Sequence, residues 1–577
     1  MMRPQHWSFV LAMSLFVGAL SPTVEAQPSD EKLKLSKSSV TAAAVQAEQG
    51  YIPLRQAVES IGAYVEWDSL TQSVKVTYGE RVWKLTKNER KSMLNDAVYE
   101  LKHPLSTINH EGQSLLAVTW HDLKAALEVS GEWKDGRIAA DASDNKALAG
   151  QFTYALRKAM TSSPSSAADL QPLSSTFNAQ LQEALPQAAL QQMVQQIQAL
   201  YGTPARLASV EVKDVGSSIH VNAMIKTTKQ GMIPAELRVK DGLIRDIYFP
   251  MFPSTGYQAP SYDKAEQYKE EDILIGEGAN ALPGTLTLPA KGEGPYPVVV
   301  LVHGSGQNDR DESIGAGKPF RDLAVGLAQE GVATIRYEKR TREYPITSSL
   351  QPNFTVNDET TKDAIVALAW AKGDKRLDHK GLYVLGHSQG GMLVPRIIEQ
   401  DQDGLIRGAI VAAAPAGPLE DLMLKQYEAA LARGKQAGLP EASIAQLEAQ
   451  VEQMKQMLAL IKNKDVSIDN LPADYPLPMA AWWMDFRNYY GGEVAKDQKT
   501  PLFIIQGSND VQVGKENLDE WKAALAHRSN IEYKLYDKLN HLFIASEKPS
   551  TGEEYFLPGN VPLEVIKDIA AWVGSSK

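Results

Sequence analysis

The chain has 577 residues, 43% hydrophobic and 22% charged, with a formal net charge of −11 and no cysteine. A length beyond about 300 residues exceeds one hydrophobic core and predicts at least two domains. The acidic balance gives no general attraction for nucleic acid or anionic lipid, and the missing cysteine excludes disulfides, thiol catalysis and lipidation of a cysteine after a leader.

In chain order, Arg3, an apolar run over 9–20 and Ala26 have the pattern of an export signal over 1–26. The run is shorter than the roughly 20 residues that cross a bilayer, so a cleaved leader is expected rather than an anchor. No other stretch is long and apolar enough to span, so no membrane span is expected in the mature chain, whose place is secreted or extracytoplasmic. Residues 27–50, rich in Ser, Ala, Lys and Gln, read as a linker.

Order begins at Tyr51. Leu54, Ala57, Val58 and Ile61 have helical spacing, followed by Gly62 and an alternating run over 64–76. A weaker echo follows, with Leu123, Ala126 and Leu127, then Gly131 and Trp133, so 51–145 is expected to hold two copies of a small α+β unit. The segment IPLRQAVESIGAYVEWD resembles the copper amine oxidase-like N-terminal domain, a stalk module. That resemblance implies no copper and no catalysis here, and a cell-wall surface as the partner of this module. Residues 150–250 show helical spacing over 152–160 and 190–201, then alternation over 208–212, 218–226 and 235–239, which predicts a second α+β module. It resembles the small domain that precedes some bacterial hydrolase domains. The proline-rich stretch 250–262 marks the next boundary, and the catalytic domain is expected over 263–577.

From Ile273 onward short apolar runs alternate with helical segments, with strands expected over 297–303, 333–337, 381–385, 406–413, 501–506 and 531–536 and helices over 361–372 and 517–527. Near-continuous apolar strands fit a mostly parallel sheet covered on both faces, hence an α/β class. One strand runs straight into Gly386-His387-Ser388-Gln389-Gly390 and then an apolar helix. Strand, G-x-S-x-G and helix in that order form a nucleophile elbow, which makes Ser388 the expected nucleophile and the α/β-hydrolase fold the expected architecture.

A serine hydroxyl needs a base, and the base needs an orienting group. Five of the ten histidines lie in this domain. His303 ends a strand, His387 sits inside the elbow, and His379 and His527 lie in solvated connections. His541 follows the last strand, where this fold places its base. The acid should come from a loop between elbow and histidine. Asp510 fits, following the strand through Gly507-Ser508-Asn509; Asp485, Asp497 and Asp537 compete. Charge developing on a carbonyl oxygen needs amide donors. Gln389, after the nucleophile, supplies one, and the turn His303-Gly304-Ser305-Gly306 the other, through Ser305 or else Gly306.

HGSGQNDRDESIG, KPFRDLA, RYEKRT and GHSQGG resemble bacterial α/β-hydrolase esterases that carry an N-terminal extension. The resemblance covers about Glu270 to the end and implies a cofactor-free Ser388, Asp510 and His541 triad acting on a small-molecule ester. Asp309, Arg310, Asp311 and Glu312 are expected to form a structural ion network or else to line the entrance. Residues 415–490 interrupt the sheet pattern and are expected to form a cap or lid, with Trp482, Trp483, Phe486, Tyr489, Tyr490, Met454 and Met457 packing it on the body. Peptide or thioester cleavage by the same triad stays open. So does a surface-binding scaffold with an inactive hydrolase domain. No H-E-x-x-H or other ligand cluster points to a metal.

Overall fold

The structure, a computed structural model, describes residues 50–110, 113–161, 167–250, 256–351 and 353–575. The expected export signal and nearly all of the expected linker lie outside the described residues. The described chain divides into two compact units, one over 50–250 and the other over 256–575. No described helix is long and apolar enough to cross a membrane.

In the N-terminal unit the strand Tyr51–Pro53 pairs antiparallel with Gln113–Thr119. Each strand runs into a short helix, Leu54–Glu59 or Trp120–Leu127, and then into a hairpin. The hairpins are Tyr64–Asp68 with Ser73–Tyr78, and Gly131–Lys134 with Arg137–Ala140. The echo in the sequence is therefore two strand–helix–hairpin units joined through their first strands. Beyond them the chain differs from two successive modules. The helix Asn145–Thr161 crosses the boundary expected between 145 and 150. Its Gly150 lies so near Ile61 that a Cβ there would stand 1.9 Å from the Ile61 carbonyl oxygen, and the Leu207 amide donates to the Gly62 carbonyl at 3.0 Å. Only residues without side chains permit this approach, and it fuses the repeat with the following four-stranded antiparallel sheet into one unit.

The C-terminal unit is built on eight strands: β1 (Tyr268–Ile275), β2 (Leu282–Pro289), β3 (Tyr296–Val302), β4 (Ala333–Tyr337), β5 (Leu377–His387), β6 (Ile406–Ala412), β7 (Leu502–Gly507) and β8 (Ile531–Tyr536). They lie in the order β1-β2-β4-β3-β5-β6-β7-β8. β2 is antiparallel to both β1 and β4, and every pair from β4 onward is parallel. Period-two alternation sends Val298, Val300, Val302, Val384 and Ile504 into one apolar cluster with Ala367, Leu368 and Trp521. Val299, Leu301, Leu385, Phe503 and Ile505 enter the other, with Phe320, Ile566 and Trp572. Both faces are buried, so these strands read as continuous apolar runs. The helices that cover them include α1 (Pro319–Gln329), α2 (Lys362–Gly373), α3 (Gln389–Met392) and α4 (Val394–Gln400).

Between β6 and β7 the chain forms α5 (Leu419–Gln436), α6 (Glu441–Ile461) and α7 (Ala480–Phe486) within the region expected as a cap. Trp482, Trp483, Phe486, Tyr489 and Met454 are buried in one cluster there, with Met457 partly buried against it. Tyr490 alone of the expected aromatics is exposed, at 49%. The unit closes with α8 (Glu516–Ala524) and α9 (Leu563–Ser575).

Candidate active site

Between β5 and α3 the backbone turns so sharply that Ser388 is held at φ 52°, ψ −118°. That region is unfavourable for any residue with a Cβ, and non-glycine residues persist there only when the surroundings over-determine them. Here they do. The Ser388 amide donates to the Ala412 carbonyl of β6 at 2.9 Å, and the Met392 amide donates to the Ser388 carbonyl at 2.9 Å. The flanking glycines are required by close approach. A Cβ on Gly386 would lie 2.3 Å from the Gly390 oxygen, one on Gly390 2.5 Å from the His303 oxygen, and one on Gly391 2.6 Å from the Gly386 oxygen. Ser388 itself is only half-buried.

Two loops at the carboxyl ends of β7 and β8 meet nearby. His541 Nδ1 lies 2.7 Å from Asp510 Oδ2, with both residues buried. The same Oδ2 accepts from Gln506 Nε2 at 3.0 Å, while Oδ1 accepts from the amides of Gln512 and Val513, each at 2.8 Å. Four donors converge on one carboxylate, which fixes its plane and leaves it only as an acceptor. A hydrogen on His541 Nδ1 completes the set and leaves the Nε2 lone pair free to take a proton. The His541 turn is shaped by Asn540, whose Oδ1 accepts from the amides of Leu542 and Ile544. His541 is tied to the elbow through its carbonyl, which lies 2.8 Å from His387 Nε2, with the two rings 4.7 Å apart.

The turn after β3 touches Ser388. A Cβ on Gly304 would lie 3.0 Å from Ser388 Cβ. Ser305 is half-buried and Gly306 sits at φ 96°. The peptide units before and after Gly304 are each held by a buried charged side chain. The Gly304 N–H donates to Glu312 Oε1 at 2.6 Å, and the Gly304 carbonyl accepts from Lys339 Nζ at 2.7 Å. Gln389, after Ser388, opens α3, where the first amides of a helix have no intrahelical acceptor. Its side chain is buried and donates to Glu359 Oε2 at 3.0 Å.

The two remaining buried histidines behave oppositely. His303 Nε2 faces the Asp309 carbonyl at 3.0 Å, and burial pushes its imidazole down to about 4, so it is neutral. Burial also opposes charge on His387, yet the Glu312 carboxylate, 3.0 Å from Nδ1, and the His541 carbonyl raise it above its ordinary value. Glu312 is held below its own ordinary value, against burial, chiefly by His387. His379 and His527 are exposed, facing the carbonyls of Asp374 and Lys496.

The competing acids lie elsewhere. Asp537 accepts from Ser508 Oγ at 3.1 Å, and Asp485 pairs with Arg396 at 3.2 Å. In the charged loop Arg310 pairs with Glu338 and Asp272, and Asp311 with Arg336 and Lys318, which makes part of the expected ion network, while Asp309 accepts from the amides of Asp311 and Ser313. Among the described residues no cluster of three or more His, Asp or Glu could hold a metal ion.

Residues 295–548 match the family described as serine aminopeptidase, S33, and residues 32–136 match the copper amine oxidase N-terminal domain. Esterase EstD of Thermotoga maritima is 36% identical over 335 residues, covering 58% of this chain and 74% of that protein. The chain belongs to the α/β-hydrolase esterase family of EstD. The N-terminal likeness read from IPLRQAVESIGAYVEWD is likewise borne out. Among solved structures, an esterase of Pyrococcus furiosus superposes with a TM-score of 0.34 at 16% identity, covering 56% of this chain and 98% of that one. The esterase of Pyrobaculum calidifontis gives 0.32 at 17%, covering 53% and 85%. Likenesses this loose carry no argument.

Sequence reasoning missed three residues of this esterase-family site. Glu312 was expected in the ion network but reaches the elbow histidine and the turn after β3. Lys339 and Glu359 were not singled out, and they meet at 2.9 Å beneath that turn. No local pattern marks them, because Lys339 and Glu359 stand 20 residues apart in the chain and Glu312 and His387 stand 75 apart.

Proposed function

We propose that this chain hydrolyses carboxylic esters through an acyl-enzyme on Ser388. His541 Nε2 takes the hydroxyl proton as the serine oxygen adds to the ester carbonyl. The amides of Gln389 and Ser305, with Gly306 the alternative to Ser305, receive the developing oxyanion. Collapse of the tetrahedral intermediate releases the alcohol, which takes its proton from His541. Water activated by His541 then frees the carboxylic acid and restores Ser388. Asp510 stays ionised throughout and keeps the proton on Nδ1. No cofactor enters this scheme.

The observation that carries the reading is the buried Asp510–His541 bond of 2.7 Å beside a serine at φ 52°. Kinship with a protein named an esterase supports the ester as substrate. The same proposal includes export, supported by the apolar run after Arg3, and contact of the N-terminal unit with a cell-wall surface. The description of the matching family as an aminopeptidase favours a second reading, amide cleavage by the same groups.

A panel of p-nitrophenyl esters against aminoacyl p-nitroanilides separates the two. Ester turnover should exceed anilide turnover by orders of magnitude, and the reverse order would make the chain a peptidase. Ser388→Ala should abolish ester hydrolysis and fluorophosphonate labelling in a folded protein. Activity within tenfold of the wild type would remove Ser388 from the mechanism.

A further inference from the structure

Lys339 is the second residue after β4, 2% exposed, and it pairs with Glu359, 6% exposed, in the turn ahead of α2. Burying two charges costs several kcal/mol each, and a buried pair is on that account weak evidence of a contribution to stability. Its contacts point elsewhere. The ammonium donates to the Gly304 carbonyl at 2.7 Å, and the Lys339 amide donates to the Asn308 carbonyl of the same loop at 3.1 Å. The carboxylate accepts three donors from three elements: Lys339, Gln389 Nε2 from α3 at 3.0 Å, and Trp482 Nε1 from α7 at 2.7 Å.

From this geometry we infer that the Lys339–Glu359 pair presets both oxyanion donors, so that Lys339 is a positioning residue for the esterase reaction. The inference rests on the proposed roles of the Ser305 and Gln389 amides. A peptide unit is planar and trans, so the Gly304 carbonyl and the Ser305 N–H point in opposite directions from one rigid plate. An ammonium holding the oxygen fixes where the N–H points. It also draws electron density toward that oxygen, which strengthens the N–H as a donor to a negative charge. Glu312 holds the preceding peptide unit through the Gly304 amide, so the chain is anchored on both sides of the Gly304 Cα. On the far side of Ser388, Glu359 holds the Gln389 side chain and with it the start of α3. The oxyanion forms only after attack, so the pair acts on the transition state and not on substrate binding.

The alternative is that the pair merely fastens α7 to the sheet, which would affect stability and substrate binding alone. In the full chain, Lys339→Met leaves Glu359 unpaired. The double variant Lys339→Met/Glu359→Gln removes both charges and retains an acceptor for Gln389 and Trp482 if the single variant does not fold. Hydrolysis of p-nitrophenyl butyrate should show kcat lowered on the order of 10- to 100-fold with KM within about threefold of the wild type. Affinity for an alkyl trifluoromethyl ketone, whose adduct with Ser388 bears an oxyanion, should fall by the same factor. A folded variant with kcat within about threefold of wild type overturns the inference, as does a loss confined to KM with ketone affinity unchanged. Ser388→Ala keeps the two levels apart. If it retains activity, the reading of the site fails, whereas an inactive Ser388→Ala beside an unaffected Lys339 variant overturns this inference alone.

Discussion

Replacing Asp510 by Asn changes one oxygen to an amide nitrogen at the point where four hydrogen bonds converge. All four partners are donors: the amides of Gln512 and Val513 on Oδ1, Gln506 Nε2 and His541 Nδ1 on Oδ2. An asparagine keeps the two backbone donors by placing its oxygen at Oδ1. Its NH₂ then faces Gln506 Nε2 and His541 Nδ1, donor against donor. His541 escapes by moving its proton to Nε2, which presents an N–H to Ser388 where a lone pair is required. The same exchange in a chymotrypsin-type serine protease lowers turnover about 10⁴-fold, equivalent to roughly 5.5 kcal/mol of barrier. The Gln506 amide left facing the NH₂ adds a stability loss of about 1–3 kcal/mol. Asp537→Asn is the control, because the exposed Asp537 accepts from the Ser508 hydroxyl at 3.1 Å. That loss of about 1 kcal/mol at most keeps turnover within tenfold. Ester turnover near pH 7.5, with folding checked by circular dichroism, should separate the two variants by about three decades. Asp510→Asn within tenfold of wild type, or Asp537→Asn the more damaged, would refute the assignment.

Two further outcomes follow from buried groups. His303 has an ordinary value of 6.5 and a folded value of about 4, so the unfolded chain binds a proton that the folded chain refuses. The stability is present above 6.5 and lost as pH falls toward 4, by about 3 kcal/mol, and His303→Gln should remove that slope in urea titrations. His387 has the opposite sign: its raised value means a contribution present below 6.5 and lost as pH rises through the folded value. A chain beginning at Gly256 should still hydrolyse soluble esters, since Ser388, Asp510 and His541 all lie beyond it. One beginning at Asp263 loses the Tyr257 hydroxyl bond to Asp322 at 2.7 Å and the Asn560 contact with the Gln258 carbonyl at 2.9 Å. It should melt several degrees lower at about 2–4 °C per kcal/mol, and equal melting temperatures would show those contacts to be idle.

The sequence made legible what is covalently contiguous or strongly patterned. Strands at 333–337 and 531–536 stand where they were expected because their apolar runs end at turns. The elbow was readable because strand, motif and helix are adjacent in the chain. Asp510 was reachable because its loop follows a readable strand. The two antiparallel strands at the front of the sheet were not singled out, for opposite reasons. β1, YKEEDILI, is an edge strand with a mostly exposed, acidic first half, so no apolar run announces it. β2, LPGTLTLP, is wholly buried, yet its two prolines and glycine are turn residues by composition. Lys339 and Glu359 escaped notice, and Glu312 was read only as part of an ion network, because charged residues are ordinarily solvated. Only the tertiary structure brings a lysine to a carbonyl 35 residues away.

The elbow, together with the absence of cysteine, makes position 388 chemically addressable. At φ 52° the backbone tolerates an unbranched side chain far better than a β-branched one, so a thiol can occupy the place of the hydroxyl where threonine cannot. Ser388→Cys would then carry the single sulfhydryl of the molecule. Its rate of reaction with a coloured disulfide reagent would count solvent access to the catalytic turn directly, with no competing thiol to subtract. The position could thus serve as a reporter of what reaches Ser388, independently of whether the arriving molecule is cleaved.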